Sequence, residues 1–226
     1  MILLTCGFIV EARTAASNHI RPVPGGGDAA YLANELDRLA PQAEAIVSWG
    51  LTGALRDDLK IGDWVVGTGV SGGFEHDCDA AWQARALAAL PGARSGRFHA
   101  DGQLADAPAK RALGAGGALA VDMESHIAAR VAAAHGLPFA ILRVVSDRVD
   151  DAMPPAVLVS MGPRGRTAYA RVAASLARNP AQIPAFAAFA RHSIACLRIL
   201  TDGQVRLGPR LSAPLFEAEI ARQAKT

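Results

Sequence analysis

The sequence predicts an α/β protein of three layers, α/β/α, built on a mixed, largely parallel central sheet. Three observations carry that prediction. In the region centred on Val121 to Asp151, two short apolar runs, Ala118 to Met123 and Pro138 to Val145, flank a segment with helical spacing. There Ile127, Val131 and Ala134 fall on one face, Gly136 supplies a helix stop and Pro138 prevents continuation. That is a β-α-β unit, the building block of parallel sheets with right-handed crossovers. Each apolar run also ends at a carboxylate, Glu124 or Asp147, and open α/β sheets bind ligands outside the carboxyl ends of their strands. Finally, a chain of 226 residues that is 51% hydrophobic suits one domain with a large core.

The domain is expected to span residues 1–226, with a helical C-terminal part from about Ala156. No run of eighteen apolar residues lacks a charge, so no spanning helix is expected. MILLTCGFIVEAR has no basic n-region and reads as a first strand rather than a signal peptide. Three widely spaced cysteines argue for a reducing compartment and against a disulfide framework, which places the chain in the cytoplasm. A formal net charge of +2 gives no electrostatic footprint for nucleic acid.

In order, Ile2 to Val10 is predicted as a buried strand that delivers Glu11 at its end. His19 to Pro24 reads as extended, and Gly25-Gly26-Gly27 leads to Asp28, the N-cap of a helix through Leu39. A glycine turn opening a helix either holds an anion or is an ordinary turn. Glu44 to Trp49 is a strand ending in a glycine turn over Gly50 to Gly53, where a ligand can approach the backbone. Ile61 to Val70 is a further strand. Phe74-Glu75-His76-Asp77-Cys78-Asp79 has no second Cys/His pair to complete a metal site, and reads as a polar loop before a helix from Ala80 to Leu90. Ala93 to Ala100 is extended and Asp106 to Leu113 helical. Arg143 lies inside an apolar strand and calls for a carboxylate partner. Helices follow over Ala156 to Met161, Arg164 to Arg178 and Ile183 to Leu200, with a loosely ordered tail from Thr201. The apolar stripe of the last helix fits docking on the sheet, or a lipid-like substrate or peripheral membrane contact.

Four blocks, in this order, resemble the nucleoside phosphorylase and nucleosidase superfamily. They are Gly7 to Glu11, the glycine turn with Leu59 to Val66, Val121-Asp122-Met123-Glu124, and Arg143-Val144-Val145-Ser146-Asp147. Within the superfamily, Val121 to Ser125 and the helical tail rich in alanine and arginine look most like hopanoid-associated phosphorylases. The resemblance implies a phosphorylase-like fold, a homodimer, and release of adenine from an adenosyl compound such as adenosylhopane, or from the substrates of methylthioadenosine/adenosylhomocysteine nucleosidases. A non-catalytic nucleoside- or lipid-binding protein of the same fold is the rival.

Breaking a purine–ribose bond builds positive charge on the sugar and negative charge on the base. By resemblance, Asp147 is the acid directed at purine N7, and with an ordinary pKa of roughly 3.9 it requires burial beside the apolar strand to stay protonated. Glu124 takes the ribose hydroxyls, Met123 packs on the sugar, and Phe98 and Ser146 belong to the purine site. Glu11 matches the nucleosidase glutamate that activates water. In the phosphorylases an arginine precedes the glycine turn and a serine lies within it; here Ser48 and Leu51 occupy those places, which favours water. Arg13, Gly26, Gly27 and Thr52 are the residues left for an anion site, so phosphate as co-substrate and water both stay open. No metal or redox cofactor is implied.

Overall fold

A computed structural model describes residues 1–103 and 105–214. The strands are β1 (Ile2–Cys6), β2 (Ile20–Pro24), β3 (Ala45–Ala54), β4 (Trp64–Gly72), β5 (His76–Asp77), β6 (Arg94–Ala100), β7 (Ala120–Asp122) and β8 (Phe139–Asp147). The helices are α1 (Ile9–Arg13), α2 (Ala29–Leu39), α3 (Ala80–Ala89), α4 (Ala107–Ala115), α5 (Ser125–His135), α6 (Pro155–Leu158), α7 (Tyr169–Arg178) and α8 (Ile183–Leu207).

The sheet runs β2-β1-β3-β7-β6-β4-β5, and β8 bridges β3 and β4. Strands β3, β8, β4, β6 and β7 therefore close into a ring, with β1 and β2 extending it on one side. Pairing is parallel for β1–β2, β1–β3, β3–β8, β4–β6 and β6–β7, and antiparallel for β3–β7, β4–β5 and β4–β8. The mixed, largely parallel α/β/α architecture is the expected one.

Alternation along the buried strands sorts side chains between two helical layers. Leu3, Ile46 and Ile141 point to a core shared with Leu32 and Leu36 of α2 and Ile127 and Val131 of α5. Ile2, Leu4, Val47 and Trp49 point the other way, to Ala12 of α1, Trp82 of α3, and Cys196 and Leu200 of α8. The predicted cap Asp28 accepts from Tyr31 N at 2.9 Å, and Asp79, at the end of the polar loop, caps α3 by accepting from Trp82 N at 2.7 Å. Gly136 closes α5 in the left-handed region, φ 62°.

Four expectations change. The first strand stops at Cys6, and Glu11 sits in the first turn of α1, because its carboxylate accepts from Phe8 N and closes that turn. The β7-α5-β8 unit is not a parallel neighbour pair: β3 lies between the two strands and runs antiparallel to β7. The stretch Gly50 to Gly53 is not a turn but part of β3, paired with β8 across a bulge between Thr52 and Gly53. The tail is not loose from Thr201, since α8 continues to Leu207 and Trp82 Nε1 donates to Leu211 O at 2.7 Å.

Candidate active site

Two polar clusters lie along β3. The first is built on Arg143, in the middle of β8 opposite Gly50. Its guanidinium donates to Ser48 Oγ from Nε (3.1 Å) and Nη2 (2.8 Å), and to Leu51 O from Nη1 (2.8 Å). It also lies 3.4 Å from Asp122 and 3.3 Å from Glu124. The carboxylate partner expected from sequence is thus two carboxylates. Asp122 Oδ1 accepts from Glu124 N and Ser125 N, and its Oδ2 from Ser125 Oγ, which fixes the β7–α5 junction. Burial alone would lower the Arg143 pKa, but Asp122, Glu124 and Glu11 raise it, so the residue stays charged.

Glu11 and Glu124 converge on Gly7. A Cβ there would lie 3.3 Å from Glu124 Oε1 and 3.4 Å from Glu11 Oε2. Glu11 Oε1 accepts from Leu51 N and its Oε2 from Phe8 N, each at 2.7 Å. Gly50 makes room for it: at φ 138° its backbone is glycine's own, and an added Cβ would stand 2.4 Å from Glu11 Oε1. Burial raises the Glu11 pKa, opposed by Arg143 and by the backbone donors of Leu51 and Phe8. Burial also pushes Glu124 up to about 7, against Arg143 and with help from Asp122 and Glu11.

The second cluster is at the end of β8. Asp147 Oδ1 accepts from Ser146 Oγ at 2.8 Å, and Oδ2 forms a salt bridge with Lys110 Nζ, which also donates to Arg148 O at 2.9 Å. Both partners are buried. Asp147 has the predicted burial but not the predicted apolar isolation. It faces the Lys110 side chain rather than an apolar wall. Gly53 is where the elements meet: a Cβ on it would be 2.9 Å from Asp147 Oδ2 and 3.4 Å from Lys110 Cε. The two clusters touch β3 at Leu51 and Gly53, two residues or roughly 7 Å apart.

The other candidates divide. Met123 is half-buried, between Asp122 of β7 and Glu124 in the chain. Phe98 is fully buried in the core beneath α5, so no stacking on a purine is assigned to it. The anion set is not assembled: Thr52 Oγ1 donates to Val121 O, Gly26 N donates to Gly7 O, and Arg13 is exposed at the end of α1. Gly26 and Gly27 are covered by the segment from Met161 to Gly165, with Met161 Sδ beside Gly27 and Met161 Cε beside Gly7. Asp77 pairs with Arg97, and Asp79 caps α3, which gives that polar loop structural work. Lys110 and Asp122 were not singled out from sequence. Lys110 carries no local signal, being one lysine among helix formers; Asp122 lies beside Glu124 in the Val121-Asp122-Met123-Glu124 block.

Acids brought together from strand ends and the first turn of α1 around a closed ring of strands, between two helical layers, define a protein of the nucleoside phosphorylase and nucleosidase class. A family model described as the phosphorylase superfamily matches residues 20–178, and the chain belongs to that superfamily of enzymes. No curated protein matches the sequence. Among solved structures, the chain is similar to 5'-methylthioadenosine/S-adenosylhomocysteine nucleosidase from Streptococcus pneumoniae, with 14% identity, TM-score 0.68, and 94% of this chain and 99% of that one covered. The S-adenosylhomocysteine nucleosidase of Streptococcus pyogenes gives 17%, 0.67, 95% and 97%. The futalosine hydrolase of Helicobacter pylori gives 15%, 0.55, 65% and 87%. At these identities the likeness is one of fold.

Proposed function

We propose that this enzyme cleaves the N-glycosidic bond of an adenosyl compound, releasing adenine, and that water takes the sugar. The observation that carries the reading is the convergence of Glu11 and Glu124 on Gly7, beside the charged Arg143 and two residues along β3 from Asp147. In this reading Glu124 holds the ribose hydroxyls and Glu11, with its raised pKa, takes a proton from the attacking water. Asp147 delivers the proton it shares with Lys110 to the base as negative charge develops there, and the proton taken from water by Glu11 restores the balance. Hydrolysis is favoured over phosphorolysis because Thr52 and Gly26 spend their donors inside the fold.

For the group on the ribose 5' carbon we propose a bulky apolar substituent, adenosylhopane by the resemblance of Val121 to Ser125 and the helical tail. In support, α6 and α7, which flank the segment carrying Met161 in the chain, form an open groove of about 550 Å³ lined by Pro155, Val159, Ala170 and Ala174 together with Arg171 and Arg178. A second reading, a non-catalytic nucleoside- or lipid-binding protein, is favoured by the ion pair that occupies Asp147.

Product analysis decides among these. Adenosine, methylthioadenosine and detergent-solubilised adenosylhopane are each incubated with and without phosphate. Adenine with free sugar, formed without phosphate, is the expected result, fastest for adenosylhopane. Ribose 1-phosphate formed only with phosphate would overturn hydrolysis, and a preference for methylthioadenosine would overturn the apolar substituent. Binding without adenine release would establish the second reading.

A further inference from the structure

The charge of this chain is segregated along its length. Between Asp151 and Asp202 there is no Asp or Glu, yet Arg164, Arg166, Arg171, Arg178, Arg191 and Arg198 all fall there. The stretch contributes six positive charges to a chain whose formal net charge is +2, so the remainder is acidic. All six arginines are exposed, and among the described residues none of them makes a salt bridge.

Helix α8 turns part of this charge into a patterned face. Ile183, Arg191, Ile194, Arg198 and Val205 follow spacings that keep them on one side of a helix. Ile183 is 47% exposed, Ile194 53% and Val205 74%. The opposite side, Cys196, Leu200, Gly203 and Leu207, is buried. There Cys196 Sγ donates to Val145 O at 3.2 Å and Gly203 lies against the Trp64 ring. The stretch Pro180–Leu207 is long and apolar enough to cross a membrane by length and composition. Its docked side argues against that, because leaving the sheet would strip Leu200, Leu207 and Trp64 of their packing. A helix anchored by one side, with aliphatic and arginine side chains alternating on the other, suits the plane of an interface.

We propose that the outer face of α8 docks onto an anionic lipid surface, its isoleucines at the acyl boundary and its arginines at the phosphates. A second copy of the chain is a poor occupant, since an isologous contact would set arginine against arginine. Nucleic acid would satisfy the arginines but gives the exposed Ile183, Ile194 and Val205 nothing apolar to cover them. The proposal is independent of the reaction catalysed.

Flotation with two vesicle types tests it, one of phosphatidylcholine and one of equal parts phosphatidylcholine and phosphatidylglycerol. The expected result is binding to the second only, weakening with salt. Each arginine neutralised, Arg191→Gln and Arg198→Gln, should weaken binding about fivefold. Ile194→Ser should weaken it too, with unfolding midpoints unchanged because all three side chains are exposed. No binding to the anionic vesicles, or binding indifferent to these variants, would overturn the proposal. So would a loss of oligomeric mass by light scattering in the same variants, which would make the face a contact between copies. Equal affinity for a short RNA with the same dependence on Ile194 would overturn it as well.

Discussion

Lys110 of α4 and Asp147 of β8 form a buried ion pair at Gly53, with side chains 1% and 3% exposed. A buried pair contributes little over an apolar replacement, but breaking it by removing one partner leaves a charge uncompensated. Lys110→Met should therefore destabilise the protein by about 3–5 kcal/mol. Lys110→Met combined with Asp147→Asn should recover most of that loss. Urea unfolding of the two single variants and the double variant checks this, and simple additivity of the losses would show that the pair is not coupled.

The same carboxylate is assigned to the leaving base. Asp147→Asn keeps the shape and the Ser146 contact but removes the group that passes a proton to the base. Turnover should fall by about 10²–10⁴, the usual contribution of a positioned acid or base, with the circular dichroism spectrum unchanged. Near-normal turnover would take Asp147 out of the chemistry.

The sequence carried the strand-end acids because their signal is local. Glu124 follows an apolar run, Asp147 ends another, and the helix between them is bracketed by Gly136 and Pro138. Arg143 was legible for the same reason, a charge in an apolar strand that must be paired. What local pattern does not encode is which strand lies beside which. β7 runs antiparallel to β3, and that closure brings Val121 and Asp147 to either side of Gly53, a relationship made by residues dozens of positions apart. Lys110 escaped for a related reason: its burial is created by Asp147 and the Arg148 carbonyl, not by its own helix. The glycines at 50 and 53 read as a turn because a strand interior rarely tolerates them, and here the close approach of Glu11 and Asp147 explains both.

Glu11 is positioned by backbone donors and by the absence of a side chain at Gly50. Glu11→Gln should retain nucleoside binding while lowering turnover by about 10² or more. Gly50→Ala should lower turnover without touching the acid itself, because the new methyl would occupy the place of Glu11 Oε1 and the φ of 138° strains any other residue. Comparing kcat with the dissociation constant of a slow substrate analogue separates the two roles. Loss of binding with unchanged kcat in Glu11→Gln would make this residue a ribose ligand and leave water without its base.

Glu124 makes stability depend on pH in a direction opposite to that of an ordinary ion-paired carboxylate. Its folded pKa is raised to about 7, first by burial and then by Asp122 and Glu11, which outweigh Arg143. Unfolded, it titrates near roughly 4.3. Between these values the folded state holds a proton that the unfolded state has released, so this group's contribution falls as pH rises through the window and is flat above it. Glu124→Gln cannot titrate. Its stability relative to the parent should climb by on the order of 2–3 kcal/mol between about pH 4.5 and pH 8, most steeply midway between the two pKa values and levelling off above neutrality. Urea unfolding of both proteins across that range reads the difference directly, since Glu11 titrates in each. A gap that stays constant with pH would mean that Arg143 holds Glu124 ionised throughout, and a gap that narrows would mean that the pair lowers its pKa. Only the climbing gap is consistent with a carboxyl that is half protonated when it meets the ribose hydroxyls at neutral pH.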